Sequence, residues 1–159
     1  MKKLTVYLLF FVIAGNIKAQ DIKLIEFEKL QHRFNNGTDT TYIVNFWATW
    51  CAPCVKEMPY FEQLQTKYQQ SPLKVIFLSL DFKSQLESRV KPLVKKMNFR
   101  SEVYLADKKN EQEFIEQISK DWEGAIPATL IVNKNKSIRK FYQQEFTFEE
   151  LEKTYQSLK

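Results

Sequence analysis

The chain has 159 residues, 44% of them hydrophobic and 14% aromatic, which is enough for one packed domain and too few for two full ones. Its three glycines, Gly15, Gly37 and Gly124, lie far apart, so no glycine-rich phosphate cradle can form, and one histidine, His32, leaves little from which to build a multi-histidine metal site or a Ser-His-Asp triad. The formal charge of +5 drops to 21 basic residues against 19 acidic once Lys2, Lys3 and Lys18 are set aside, a balance that reads as ordinary solubility and not as a nucleic-acid surface.

Those three lysines flank an N-terminal segment with its own signature. Met1-Lys2-Lys3 is a basic start, and Leu4 to Ala14 is apolar except for Thr5 and Tyr7. The pattern predicts a secretory signal peptide over residues 1–19, followed by the working domain over 20–159. An apolar core of about a dozen residues falls short of the roughly 20 that cross a bilayer as a helix. An uncleaved leader acting as an anchor is the competing reading. Either way the chain is expected outside the cytoplasm, in the periplasm.

Beyond the leader, Phe27, Leu30 and Phe34 recur at helical spacing after a short extended lead-in, which predicts a helix from about Phe27 to Asn35. Thr41 to Phe46 is apolar on both faces and reads as a central strand. A helix follows Cys51 to about Gln69, with Pro53 near its start and Pro59 expected to kink it. Leu73 to Leu80 is a second buried strand. Ser84 to Met97 reads as one helix kinked at Pro92, Val103 to Leu105 as a short strand, and Glu111 to Trp122 as an amphipathic helix. Ala128 to Val132 and Ser137 to Gln143 form a hairpin in which asparagines would take the left-handed positions. Thr147 and Glu150 make a capping-box pattern ahead of a last helix with Phe148, Leu151, Tyr155 and Leu158 inward. The sum is an α/β domain with a mixed central sheet and helices on both faces.

The two cysteines of the chain, Cys51 and Cys54, stand two residues apart at the junction of a buried strand and a helix. A disulfide closing so small a loop restricts the unfolded chain little and is a poor staple. Zinc wants four ligands, and only two thiolates and a distant histidine are offered. Redox exchange uses the pair best. Cys51 falls at or beside the helix N-cap, where unpaired N–H groups and the helix dipole lower a thiol from about 8.5 into the range of roughly 3.5–7.5. Its thiolate then attacks a disulfide, and Cys54, one turn further in, resolves the mixed disulfide. Trp50 and Pro53 wall the pair.

The stretch Phe46-Trp47-Ala48-Thr49-Trp50-Cys51-Ala52-Pro53-Cys54 resembles the active-site segment of thioredoxin-fold proteins. With Val55-Lys56-Glu57-Met58-Pro59 and the leader, it is similar to the extracytoplasmic thiol–disulfide oxidoreductases of the TlpA/ResA type. Gly124-Ala125-Ile126-Pro127-Ala128-Thr129 resembles that family's cis-proline loop. The resemblance implies a thioredoxin-like fold, a nucleophilic Cys51, a resolving Cys54, and a cis Pro127 with the Ile126 backbone pairing to an extended substrate. It also implies a glutamate near the pair at Glu57, able to relay the Cys54 proton; the plainer reading of Glu57 is a solvated residue of the first helical turn. Asn45 stands where thioredoxin has a buried acid. Lys56 reads as an exposed helix residue. By the same resemblance the chain reduces protein disulfides, apocytochrome c among its candidate substrates, is re-reduced by a membrane thiol donor, and needs no cofactor beyond its own disulfide. A general disulfide oxidase or isomerase and a thiolate-based copper chaperone are the alternatives.

Overall fold

The computed structural model describes residues 21–37 and 39–158, so the leader expected over residues 1–19 lies outside the described residues. Six strands form one sheet: β1 (Lys23–Ile25), β2 (Thr41–Trp47), β3 (Leu73–Ser79), β4 (Glu102–Ala106), β5 (Ala128–Asn133) and β6 (Ile138–Tyr142). Their spatial order is β1-β4-β3-β2-β5-β6. The first four in that order run parallel, and β5 and β6 are antiparallel to their neighbours. β2 is buried at all seven positions and β3 at all but Lys74, which is why both read as continuous apolar runs.

Five α-helices cover the sheet: α1 (Phe27–Asn36), α2 (Ala52–Lys67), α3 (Lys91–Met97), α4 (Glu111–Ile118) and α5 (Phe148–Gln156). Alternation along β2 divides the core in two. Ile43 and Trp47 point into the layer shared with Cys54, Met58, Phe61 and Leu64 of α2, Val94 of α3 and Leu151 and Tyr155 of α5. Tyr42, Val44 and Phe46 point the other way, toward Phe27, Leu30 and Phe34 of α1 and Phe114 and Ile118 of α4. The capping box of α5 is formed: Thr147 Oγ1 accepts the Glu150 N–H at 3.3 Å while Glu150 Oε2 accepts the Thr147 N–H at 2.9 Å.

Pro59 lies inside α2 without ending it, and the helix runs on to Lys67. Three local expectations are corrected. The stretch expected as one helix from Ser84 is a 3₁₀ turn (Lys83–Gln85), a π-turn (Leu86–Val90) and then α3. Pro92 has no N–H to return to the carbonyl four residues earlier, and Lys91 donates instead to Leu86 O, five residues back. α4 ends at Ile118, not at Trp122; the Trp122 ring is buried against Phe46, with centroids 5.0 Å apart, and its Nε1 donates to Ala125 O at 2.8 Å. In the β5–β6 hairpin the left-handed residue is Ser137 (φ 53°), while Asn133 Oδ1 accepts the Lys136 N–H at 3.0 Å.

Candidate active site

The site sits where β2 leaves the sheet. Cys51 is the N-cap of α2 in extended conformation (φ −90°, ψ 94°), and its Sγ faces the Cys54 N–H at 3.4 Å. The Cys51 carbonyl accepts the Val55 N–H at 3.0 Å, so the helix begins directly at Cys51. Pro53 occupies the first turn, where an N–H would have no helical partner. Cys51 and Cys54 form a disulfide. They are not equivalent: Cys51 keeps 5% of its surface in contact with solvent and Cys54 none. Trp50 and Pro53 are exposed beside them.

Glu57 lies one helical turn beyond Cys54 on the same face of α2, followed by Met58 and Phe61. It is fully buried, which corrects the reading of a solvated first-turn glutamate. The structure shows what satisfies it. Asn45 Nδ2 donates to Oε1 at 2.8 Å, and the backbone N–H of Phe146 donates to Oε2 at 2.7 Å. Phe146 is fixed by ring contacts with Phe61 and Tyr142, at centroid distances of 6.3 and 5.6 Å, which aim its N–H inward. Burial raises the Glu57 carboxyl from its ordinary 4.5 to about 7, against the two hydrogen bonds that favour its anion. The acid therefore changes charge near neutral pH, the range in which a general acid or base transfers protons most effectively. Lys56, next in sequence, points outward and pairs with Glu145 at 2.7 Å.

Two neighbouring strands bring further loops to the pair. The β2–β5 register sets Phe46 opposite Ala128, which carries Pro127 to the level of Trp47. The Ile126–Pro127 peptide bond is cis. The loop before it contains Gly124 at φ +84° and is pinned by the Trp122–Ala125 hydrogen bond. On the other side of β2, the β3 strand runs into Asp81, which is 2% exposed. Its carboxylate accepts the Thr49 N–H at 2.9 Å, the Thr49 hydroxyl at 2.5 Å and the Ser79 hydroxyl at 2.8 Å. Neither Asp81 nor the Asn45–Glu57 contact is among the features expected from the sequence. A carboxylate directly after a buried parallel strand is the signal that marks the first, because sites in open α/β sheets gather at the carboxyl ends of strands.

A family model described as Redoxin matches residues 16–158. The thiol-disulfide oxidoreductase ResA of Geobacillus thermodenitrificans (strain NG80-2) is 24% identical in a match covering 98% of this chain and 86% of that protein. ResA of Bacillus thuringiensis subsp. konkukian (strain 97-27) is 34% identical over 111 residues, covering 69% of this chain and 58% of that one. Among solved structures, a thioredoxin-related protein from Neisseria meningitidis serogroup B superposes with a TM-score of 0.66 at 20% identity, over 77% of this chain and 87% of its own. StoA from Bacillus subtilis superposes at 0.57 and 21% identity, over 74% and 84%. The superpositions agree on the thioredoxin-like fold. With its Cys-x-x-Cys disulfide at the head of α2, the chain belongs to the Redoxin family and is a thiol–disulfide oxidoreductase of the TlpA/ResA type.

Proposed function

We propose that the chain is an exported reductase of protein disulfides, with residues 1–19 as its leader and 20–159 as its working domain. The observation that carries the exchange chemistry is the asymmetry of the pair: Cys51 meets solvent at the N-cap of α2, while Cys54 is sealed one turn below, above a buried Glu57. In the reduced protein the Cys51 thiolate attacks one sulfur of a substrate disulfide, forming a Cys51–substrate bond and releasing the other substrate sulfur as a thiolate. Glu57, as carboxylate, takes the Cys54 proton. The Cys54 thiolate then attacks Cys51 Sγ, the mixed disulfide breaks, and the second substrate sulfur leaves and is protonated. Two electrons pass to the substrate and the Cys51–Cys54 disulfide is formed.

Trp50 and Pro53 wall the pair, and the Ile126 backbone beside Pro127 pairs with the substrate as an added strand. A membrane thiol donor on the extracytoplasmic side returns the two electrons. Apocytochrome c is one substrate that the family resemblance suggests. The exchange runs on the disulfide alone, with no added cofactor. Equilibration with glutathione tests the direction: a potential near that of thioredoxin, about −270 mV, supports a reductase, and one near about −120 mV overturns it. Loss of insulin-disulfide reduction in Cys51→Ser, and a mixed disulfide captured by Cys54→Ser, test the two cysteine roles.

A further inference from the structure

Among the described residues, Trp50 and Phe82 are the large hydrophobic side chains left exposed, at 61% and 71%. Trp50 belongs to the cysteine loop. Phe82 lies on the loop after β3, and no part of the exchange chemistry requires it. The two are nonetheless built together, because each directly follows one member of the Thr49–Asp81 pair, joined by hydrogen bonds of 2.9 and 2.5 Å.

The Phe82 backbone is also held from its other side. Its N–H donates to Gln85 Oε1 at 3.1 Å, and its carbonyl accepts the Gln85 N–H at 2.8 Å. Ser79 Oγ accepts the Asp81 N–H at 3.2 Å. An aromatic ring presented to water from a backbone held at Asp81 and on both sides of the Phe82 peptide is not the tip of a loose loop. Pre-ordering of this kind lowers the entropic cost of binding a partner.

Sheet order shows where the ring stands. β2 lies between β3 and β5, so the cysteine loop is flanked by Phe82 on the β3 side and by Ile126–Pro127 on the β5 side. A polypeptide paired with the Ile126 backbone and crossing Cys51 continues toward Phe82. We propose that Phe82 selects substrates: it receives a bulky apolar side chain from the polypeptide that flanks the target cysteine on the side away from Pro127, with the Trp50 ring as the adjoining wall. The inference rests on the protein-disulfide reading above and adds no covalent step to it.

The full chain in its reduced form is mixed with two disulfide-linked peptide dimers of equal length and charge, one with leucine and one with serine beside the cysteine on the proposed side. The small bis(2-hydroxyethyl) disulfide serves as reference, and second-order rate constants are read from tryptophan fluorescence. The wild type should react about five- to thirty-fold faster with the leucine peptide, the range expected for burying part of one aliphatic side chain on an aromatic ring. Phe82→Ser should bring that ratio to within about twofold, and Phe82→Leu should retain most of it. A ratio unchanged in Phe82→Ser overturns the proposal alone, as does an equal loss on all three disulfides. A concentration-dependent dimer abolished by Phe82→Ser, with the ratio preserved, would assign the ring to a second copy of the chain and also overturn it. If neither peptide oxidises the wild type while the small disulfide does, the protein-disulfide reading itself fails.

Discussion

Asn45 of β2 and Glu57 of α2 meet inside the core through a 2.8 Å hydrogen bond, Nδ2 to Oε1, in the layer that also holds Cys54. The other arm of the amide, Asn45 Oδ1, is buried and has no hydrogen-bond partner among the described residues. An amide has one donor and one acceptor end, so rotation of the Asn45 side chain lets it face either form of the acid: Nδ2 toward a carboxylate, Oδ1 toward a protonated carboxyl. An aspartate at this position could not donate to the glutamate anion and would place two like charges side by side.

Replacing Glu57 by Gln keeps the shape and removes the titration. The introduced amide can accept the Phe146 N–H through its oxygen and donate to Asn45 Oδ1 through its nitrogen, so the fold survives. On the proton role proposed for Glu57, the exchange rate near pH 7 should fall by about 10²-fold. The inflection near pH 7 in the rate profile should vanish with it. A Glu57→Gln profile that keeps this inflection would refute the proton role.

Glu57 also makes stability depend on pH, with a definite sign. Burial holds its carboxyl at about 7 in the folded chain against an ordinary 4.5, so between those values the unfolded chain has released a proton that the folded chain retains. Its contribution to stability is intact below about pH 4.5, declines through the interval and is lost above pH 7, a difference of about 3 kcal/mol. Urea unfolding of the oxidised protein at pH 5, 6, 7 and 8 should show Glu57→Gln gaining on the wild type as pH rises. Parallel curves for the two proteins would contradict the assignment.

The buried Asp81 carboxylate anchors the cysteine loop through two hydrogen bonds from Thr49 and accepts a third from Ser79 at the end of β3. Asp81→Ala should cost about 2–4 kcal/mol, measured by chemical denaturation, because the Thr49 and Ser79 donors lose a charged acceptor. Thr49→Val removes only the hydroxyl bond and should cost about 1 kcal/mol. Equal losses in the two variants would mean that neither the Thr49 backbone bond nor the Ser79 bond adds to stability.

Gly124 takes φ +84° in the loop that leads to the cis peptide, and a Cβ there would stand 3.1 Å from Ile115 Cδ1. Gly124→Ala should destabilise the domain by about 1–2 kcal/mol through the left-handed backbone alone. It should also slow exchange with protein disulfides more than with a small disulfide, because the displaced loop carries Ile126. Equal slowing on both would remove this loop from substrate pairing.

The elements whose residues are contiguous in sequence are the readable ones. β2 and β3 announce themselves as apolar runs, α2 by its position after the cysteines, and α5 by its Thr147–Glu150 cap. Glu57 is ambiguous in the sequence because helical spacing puts it with Cys54, Met58 and Phe61 on a buried face, while its charge argues for solvent. The decision falls to a backbone N–H at Phe146, 89 residues away, that no local pattern encodes. Trp122 continues the apolar spacing of α4, yet its packing on Phe46 and its bond to Ala125 O pull it out of the helix. Pro92 reads as a kink, but the missing donor is absorbed upstream as a π-turn. Phe82 gives no sequence signal of its exposure, since the twelve other phenylalanines look the same in the sequence.

The separation between Glu57 and Phe146 also bears on the order in which the protein comes into being. A ribosome makes the cysteines, α2 and most of the sheet before it reaches the loop that donates to Glu57. Without that loop in place, Glu57 loses the Phe146 N–H and part of the burial that raises its carboxyl. The raised carboxyl is therefore the mark of a chain in which this distant contact has formed.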